Sequence, residues 1–233
     1  MALLVMTACT SGGAAETTEP PTTSVPTTES SAIPEPTTTR GTTFVVKEPA
    51  DSGPGITVIN PDSGWSFDTD FGAFSEGDDV QNVPEATILL WSFPAGTDFY
   101  VPVDPCQSES TMSTSPATTA DEISSALAAQ ASRGASEPVD VSIGGYEGKS
   151  LIVHVPDDVV FADCEGETFL SFATGDDPGA RSQQGPGQID EMWILDVEGS
   201  PVIISALYRP DSRAELVEEM RGIAQSATFQ PAS

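Results

Sequence analysis

Basic side chains are scarce in this chain. Its 233 residues include 8 lysines and arginines against 36 aspartates and glutamates, so the formal net charge at pH 7 is −28. A surface with this charge repels nucleic-acid phosphates and anionic lipid headgroups, and we therefore expect no nucleic-acid partner. Only Lys47 and Lys149 are lysines, and an acid excess with little lysine suits a protein in high salt, where screening weakens the self-repulsion.

Imidazole is nearly absent, because His154 is the single histidine. It stands in Leu151–Val155, where it alternates with aliphatic residues, and the chain contains no Gly-x-Ser-x-Gly motif. This pattern predicts a structural histidine in a sheet and leaves no base for a Ser-His-Asp site. We predict no catalytic residue and hence a non-enzymatic protein.

Cysteine is also rare, and after Cys9 only Cys106 and Cys164 occur. Two cysteines in an exported domain form a disulfide more often than any other structure. Closing the 58-residue separation would stabilise the fold by about 4 kcal/mol on the chain-entropy model. With one histidine and no Cys-x-x-Cys, the chain offers no transition-metal site, and we predict no metal ligand and no cofactor.

Paired carboxylates are numerous, but a strongly acidic chain places such pairs on solvated turns and faces. The pairs are Asp78-Asp79, Asp157-Asp158, Asp176-Asp177, Asp190-Glu191 and Glu218-Glu219. Acid-base chemistry needs one carboxyl in an apolar pocket, which the sequence does not indicate. Calcium binding is the alternative role for acidic turns, since Asp68-Thr69-Asp70 and Asp176-Asp177-Pro178-Gly179 put oxygen ligands near turns. The spacing of an EF-hand calcium loop is absent from the chain.

The N-terminus has a pattern typical of export and lipid anchoring. A short apolar stretch, Ala2–Ala8, ends in a small residue before Cys9, as at the end of a bacterial lipoprotein signal peptide. The Cys9 thiol is the predicted lipidation site, which places the protein on the extracytoplasmic face of the cell membrane. No basic residue precedes Arg40, so we expect that residues 1–9 are a truncated signal and that translation starts upstream.

A long Ser/Thr/Pro-rich segment follows, over residues 10–43. It has no helical or strand periodicity and almost no large apolar side chain, which predicts a disordered tether between membrane and folded protein. Residues 44–233 contain all three tryptophans and all ten phenylalanines of the chain, which is enough for one domain with a core.

Hydrophobic periodicity within residues 44–233 predicts an α+β fold. Short apolar runs indicate about seven strands, including hairpins at Gly144-Gly145 and around Glu198–Pro201, with Asp98–Val101 pairing with the run before it. Capping boxes at Thr119–Glu122 and Ser212–Glu215 predict two amphipathic helices, the first ending at Gly134. We expect an antiparallel sheet with both helices packed on one face.

A glycine-rich loop, Gln183–Gln188, precedes a predicted strand. A phosphate-binding loop instead contains Gly-x-x-x-x-Gly-Lys and opens a helix. The pattern therefore favours a tight turn that leads into the hairpin containing Trp193.

Several of these residues together suggest a family. Gly144-Gly145-Tyr146-Glu147-Gly148-Lys149, Cys164, Gln184–Gln188 and Trp193–Gly199 form a pattern that resembles an uncharacterised domain of actinobacterial envelope lipoproteins. The order of elements from Gly64-Trp65 to the final helix is similar, more loosely, to PsbP-like lipoproteins. The resemblance implies an antiparallel sheet flanked by helices and a binding or accessory role, and it transfers no catalytic residue.

The sequence thus predicts a membrane-anchored extracytoplasmic lipoprotein with a non-catalytic binding or accessory domain. Its expected partners are the membrane, through the lipid on Cys9, and an envelope protein or small ligand of unknown identity. Two alternatives stay open: a carboxylate- or metal-dependent cell-envelope hydrolase, and a structural surface protein.

Overall fold

The computed structural model describes residues 41–50, 52–61, 65–68, 73–76, 86–175 and 180–232, which belong to one compact unit, Pro36–Ser233. The strands are β1 (Gly41–Lys47), β2 (Gly55–Pro61), β3 (Trp65–Asp68), β4 (Ala73–Glu76), β5 (Ala86–Ser92), β6 (Phe99–Tyr100), β7 (Val139–Ile143), β8 (Tyr146–His154), β9 (Leu170–Thr174), β10 (Arg181–Ser182), β11 (Ile189–Val197), β12 (Ser200–Tyr208) and β13 (Thr228–Gln230). The α-helices are α1 (Ser108–Thr111), α2 (Ala120–Ala128) and α3 (Ala214–Gln225).

A seven-stranded antiparallel sheet in the order β3-β4-β5-β12-β11-β8-β7 is the centre of the fold, which confirms the predicted α+β class. The β11–β12 hairpin runs through its middle, and the first eight residues of β12 are all buried. Because this strand is covered on both faces, it reads as a nearly continuous apolar run where a half-exposed strand would alternate.

The two long helices lie on opposite faces of this sheet, whereas the sequence analysis placed both on one face. Trp193 and Leu195 of β11 share a buried cluster with Leu216 of α3, together with Met220 and Ile223 of that helix. The intervening residues Met192 and Ile194 share a second buried cluster with Ile123 and Leu127 of α2. Successive side chains of a strand point to opposite faces, so the alternation along β11 assigns one helix to each face.

Helix α2 begins as predicted. The Thr119 hydroxyl oxygen accepts a hydrogen bond from the backbone N–H of Glu122, whose carboxylate accepts one from the backbone N–H of Thr119. The helix ends earlier than expected, at Ala128, and Ala131 beyond it is exposed. Ser132, not Gly134, takes a positive φ, of 60°, where the chain turns.

The second predicted capping box is wrong. Helix α3 begins at Ala214 with Arg213 at the N-cap, and the Arg213 side chain makes no capping hydrogen bond. The Ser212 hydroxyl oxygen instead accepts a hydrogen bond of 3.0 Å from the backbone N–H of Arg209. Buried apolar residues, not a cap, hold this helix to the sheet.

Two small antiparallel sheets, in the orders β1-β2-β13 and β10-β9-β6, flank the central one. The pairing of β6 differs from the prediction, because it joins β9 and not the preceding strand β5. Pairing between strands distant in sequence is decided by the packing of the whole unit, which local patterns do not encode.

The β7–β8 hairpin turns at Gly144-Gly145, as predicted. Gly144 has a φ of 60°, and a Cβ atom there would stand 2.7 Å from the carbonyl oxygen of Ala227. Glycine is therefore needed both for the turn and for the close approach of the chain after α3. In the part of the chain that the structure describes, no helix is both long enough and apolar enough to span a bilayer.

Candidate functional site

Several predicted site residues fall outside the described residues. They are the lipidation site Cys9 and, among the calcium candidates, Thr69, Asp70 and Asp176–Gly179. Asp68 closes β3. Within the described ranges, no group of three or more histidine, cysteine, aspartate or glutamate side chains is close enough to hold a metal ion.

Cys106 and Cys164 form a disulfide, with their Cα atoms 4.5 Å apart. Cys106 lies in a 3₁₀ turn that Asp104 caps by accepting a hydrogen bond of 3.0 Å from the Cys106 backbone N–H. Cys164 is buried with Val155 and Phe169 in a small apolar cluster. The bond thus ties the segment before α1 to the loop that follows β8.

His154 ends β8, and its side chain is exposed. Leu151 and Val153 of the same strand are buried, so the histidine belongs to the alternate residues that face away from the core. The predicted carboxylate pairs divide between surface and interior. Asp157 and Asp158 are exposed, whereas Asp190, which the sequence analysis placed on a solvated surface, is only 1% exposed.

Asp190 belongs to a buried polar group that we call the arginine cluster. Its charged members are Arg133, Arg181 and Asp190, which are 8%, 3% and 1% exposed. Its neutral members are Gln130, Ser171, Gln183 and Gln188, and all four are buried as well. Two of the eight basic side chains of the protein therefore lie inside it, although arginine is among the residues least often buried.

Arg181 and Asp190 form the ion pair of this cluster. Nη2 of Arg181 lies 2.9 Å from Oδ2 of Asp190. Nε2 of Gln188 donates to the other carboxylate oxygen of Asp190 and to Oε1 of Gln183, the latter at 2.6 Å. Arg181 also donates to the backbone carbonyl of Ser182. The carboxylate is thus held on both oxygens by charged or amide donors, which is how a buried charge is stabilised.

Among the described residues, Arg133 donates hydrogen bonds to neutral acceptors only. Its Nη1 donates to Oε1 of Gln130 at 2.9 Å and to Oγ of Ser171 at 2.8 Å. Nε2 of Gln183 donates to the same Ser171 oxygen, which links the two halves of the cluster. Gln130 is itself anchored, because its Nε2 donates to the carbonyl oxygens of Pro102 and Ser171.

Aromatic rings pack against both guanidinium groups. Cζ of Arg133 is 5.8 Å from the ring centroid of Phe169, and Cζ of Arg181 is 6.0 Å from that of Trp91. Phe161 stacks on Phe169 at 5.9 Å between ring centroids. These distances permit cation–π attraction, which strengthens where water is excluded.

Burial lowers the pKa of Arg133 to about 10; nearby Asp190 raises that pKa and Arg181 lowers it further. The buried site therefore disfavours the charged form of this guanidinium. Arg133 stays protonated near neutral pH. The interior therefore holds two cations and one anion within this cluster.

Distant parts of the chain build the cluster. Gln130 and Arg133 follow α2, Ser171 is on β9, and Arg181 is on β10. Gln188 and Asp190 are two residues apart, so they point to the same side of an extended chain. The Gln183–Gln188 loop is a turn that feeds β11, as predicted, and Nη1 of Arg209 holds it by donating to the Pro186 carbonyl at 2.6 Å.

No sequence pattern identified this cluster. Arg133 and Arg181 could have been noticed for their rarity in so acidic a chain, and the glutamines for their concentration around one loop. Neither signal indicates burial. The cluster forms only because β9, β10 and β11 bring these residues together with the end of α2.

A second polar group is half-buried between α3 and β11. Nε of Arg221 lies 2.9 Å from Oε2 of Glu191, and Glu218 pairs with the same arginine one helical turn away. Burial raises the pKa of the nearby Tyr208 hydroxyl, and the negative charge of Glu191 raises it further. This group attaches the polar side of α3 to the sheet.

Most polar groups of the arginine cluster are hydrogen-bond donors. It contains two guanidinium groups, three amides, one hydroxyl and one carboxylate, and the carboxylate is occupied by Arg181 and Gln188. Among the described residues, no imidazole or thiol contacts the Ser171 hydroxyl that could activate it as a nucleophile. Guanidinium and amide N–H groups bind anionic or carbonyl oxygens.

Comparisons with known proteins find weak likenesses to two solved structures. No protein-family model matches the chain, and no curated protein sequence matches it significantly. The crystal structure of LpqN, involved in cell envelope biogenesis of Mycobacterium tuberculosis, is similar over 82% of this chain and 91% of LpqN, with 11% identity and a TM-score of 0.44. The solution structure of cyanobacterial PsbP (CyanoP) from Synechocystis sp. PCC 6803 is similar over 82% of this chain and 94% of that chain, with 10% identity and a TM-score of 0.36. Neither likeness assigns a role to a residue, and the actinobacterial sequence pattern stays a prediction.

Proposed function

We propose that this protein is a lipid-anchored, extracytoplasmic accessory protein whose folded unit is a non-catalytic binding domain. The observation that carries the binding role is the arginine cluster, in which guanidinium and amide groups are oriented by one another and the carboxylate is neutralised by Arg181. A site of this composition is built to hold a polar group in place.

The anchor is inferred from the sequence around Cys9 and from the Ser/Thr/Pro-rich segment after it. A lipid on that thiol would keep the folded unit at the membrane, while the segment would let it reach envelope proteins or small ligands at a distance.

Fractionation of the native host tests the anchor. We expect the wild-type protein in the membrane fraction, with an intact mass that includes a diacylglyceryl group on Cys9, and the Cys9→Ala variant in the soluble fraction. The matched control is Ser11→Ala, which changes a small residue nearby and should stay with the membrane. A wild-type chain without lipid would contradict the anchor.

The non-catalytic role is tested against the hydrolase alternative. Wild-type protein and the Asp157→Asn and Asp190→Asn variants are incubated with purified cell-wall polymer, and released fragments are measured by mass spectrometry. We expect no release above the heat-inactivated control. Release that disappears in a folded Asp→Asn variant would establish a carboxylate-dependent enzyme instead.

A further inference from the structure

We propose that the Nε/Nη2 edge of Arg133 is the binding site for a small monovalent anionic group, either a halide ion or the carboxylate of a ligand. This assignment rests on the proposed binding function and names the chemistry of what is bound. It is independent of the lipid anchor.

The balance of charges among the described residues favours an anion at Arg133. Arg133 and Arg181 are both buried, and Asp190 is the carboxylate that neutralises Arg181 at 2.9 Å. The described charges that act on Arg133 are Asp190 and Arg181, whose effects oppose each other. Among the described residues, one buried positive charge therefore remains without a counter-charge, and buried charges in proteins are normally paired.

The N–H donors of Arg133 are only partly satisfied by the described residues. Nη1 of Arg133 has two acceptors, Gln130 and Ser171. Nε and Nη2 are both buried, and neither has an acceptor among the residues described. Buried donors without acceptors are rare in folded proteins, and their cost is larger when the group is charged.

The shape of the Arg133 guanidinium group also suits a small anion. The N–H groups of Nε and Nη2 lie along one side of the planar guanidinium and point in parallel, which is the side-on arrangement that binds a carboxylate through two oxygens or a halide through both N–H groups. The neutral partners keep Arg133 fixed, because Gln130 is anchored to the Pro102 and Ser171 carbonyls. The free edge is thus preorganised.

Burial restricts the size and exchange of the bound group. Nε and Nη2 are closed off from bulk solvent, and Phe169 packs 5.8 Å from the guanidinium carbon. An edge so enclosed is compatible only with an anion of one or a few atoms, whose entry and release require neighbouring side chains to move. The low local dielectric would make the pairing strong.

The test is thermal unfolding of the purified full-length chain in sodium gluconate, whose anion is too large to enter, with stepwise replacement by chloride, bromide or formate at constant ionic strength. We expect the Tm to rise by about 3–6 °C at tenfold the half-saturating concentration of the preferred anion. Arg133→Met should abolish the rise. Lys149→Met, which removes a surface cation paired with Asp121 and Asp140 outside the cluster, should keep it.

The arms separate the two sources. A rise with chloride and bromide assigns the site to an inorganic halide, and a rise with formate alone assigns it to a ligand carboxylate. Equal melting curves in all anions, or the same rise in Arg133→Met, would overturn the proposal, since a water molecule or general salt effects would then explain the edge.

A bromide-soaked crystal provides a second readout that does not depend on a variant being folded. We expect an anomalous peak within hydrogen-bond distance of Nε and Nη2 of Arg133 if the anion is a halide. If the site binds a carboxylate instead, we expect electron density for formate at the same position in a formate-soaked crystal. A protein that is lipidated but fails both measurements overturns this assignment alone, and one that binds the anion but carries no lipid overturns only the anchor.

Discussion

At the scale of single residues, the arginine cluster shows how strongly burial changes the role of a charge. Asp190 and Asp140 both pair with a cation, yet Asp190 is enclosed with Arg181 while Asp140 is 86% exposed beside Lys149. Exposed ion pairs contribute little because solvent screens them. Removing one member of a buried pair leaves the other charge without compensation.

We therefore expect Asp190→Asn to lower the free energy of unfolding by about 3–5 kcal/mol, because the buried Arg181 would then lose the carboxylate that neutralises it. Asp140→Asn, the matched change at the surface, should cost less than about 1 kcal/mol. Urea unfolding followed by tryptophan fluorescence measures both. Equal stabilities of the two variants would mean that Asp190 does not neutralise the cluster.

Residue-level prediction from the sequence succeeded where a side chain acts on its own neighbourhood. Thr119 caps the segment that follows it, and Gly144 occupies a turn that needs a positive φ. Asp190 could not be recognised, because its burial depends on residues far away in the chain.

At the scale of elements, α2 depends on its cap. The helix has nine residues, which is too short to be stable without a cap or tertiary packing. The Thr119 hydroxyl satisfies the Glu122 N–H, which has no acceptor within the helix.

Thr119→Ala should lower the free energy of unfolding by about 1 kcal/mol. Thr119→Ser keeps the oxygen and should cost only a few tenths of that value. Both are measured by urea unfolding. If the serine and alanine variants were equally destabilised, the loss would come from the methyl group and not from the cap.

The opposite placement of α2 and α3 gives a second prediction at this scale. Ile123 of α2 and Ile223 of α3 are both fully buried, but they belong to separate clusters. We expect Ile123→Val and Ile223→Val to cost about 1 kcal/mol each, and their double variant to show the sum within about 0.5 kcal/mol.

A thermodynamic cycle of wild type, both single variants and the double variant measures this coupling. Helices on one face, in contact with each other, would instead give a coupling energy above that limit. The sequence correctly predicted an apolar face on each helix, but the expectation that both helices cover the same face of the sheet was wrong.

At the scale of the whole molecule, the disulfide is a cross-link between segments that are 58 residues apart. It joins the turn before α1 to the loop after β8, and that loop carries Phe161, which stacks on Phe169 beside Arg133. The cross-link therefore supports the same region that encloses the arginine cluster.

The Cys106→Ser, Cys164→Ser double variant should lose about 4 kcal/mol of stability, because its unfolded chain gains the entropy of an open loop. Calorimetry of this variant is compared with wild-type protein in excess reductant, and the two should agree. A wild type whose Tm is unchanged by reduction, with free thiols verified by mass, would contradict a stabilising role.

Sequence alone determined the features that arise from interactions over a few residues: the approximate positions of the main strands and of the two long helices, the α2 cap, the glycine turns, and the strong excess of acidic residues. The tertiary structure decided which face each helix covers, that β6 pairs with β9, and that Arg133 meets Ser171, 38 residues away, in the interior. The physical reason is the distance along the chain over which each interaction acts. Local hydrogen bonds and side-chain periodicity depend on neighbouring residues. The environment of a buried charge depends on strands that meet only when the whole unit packs.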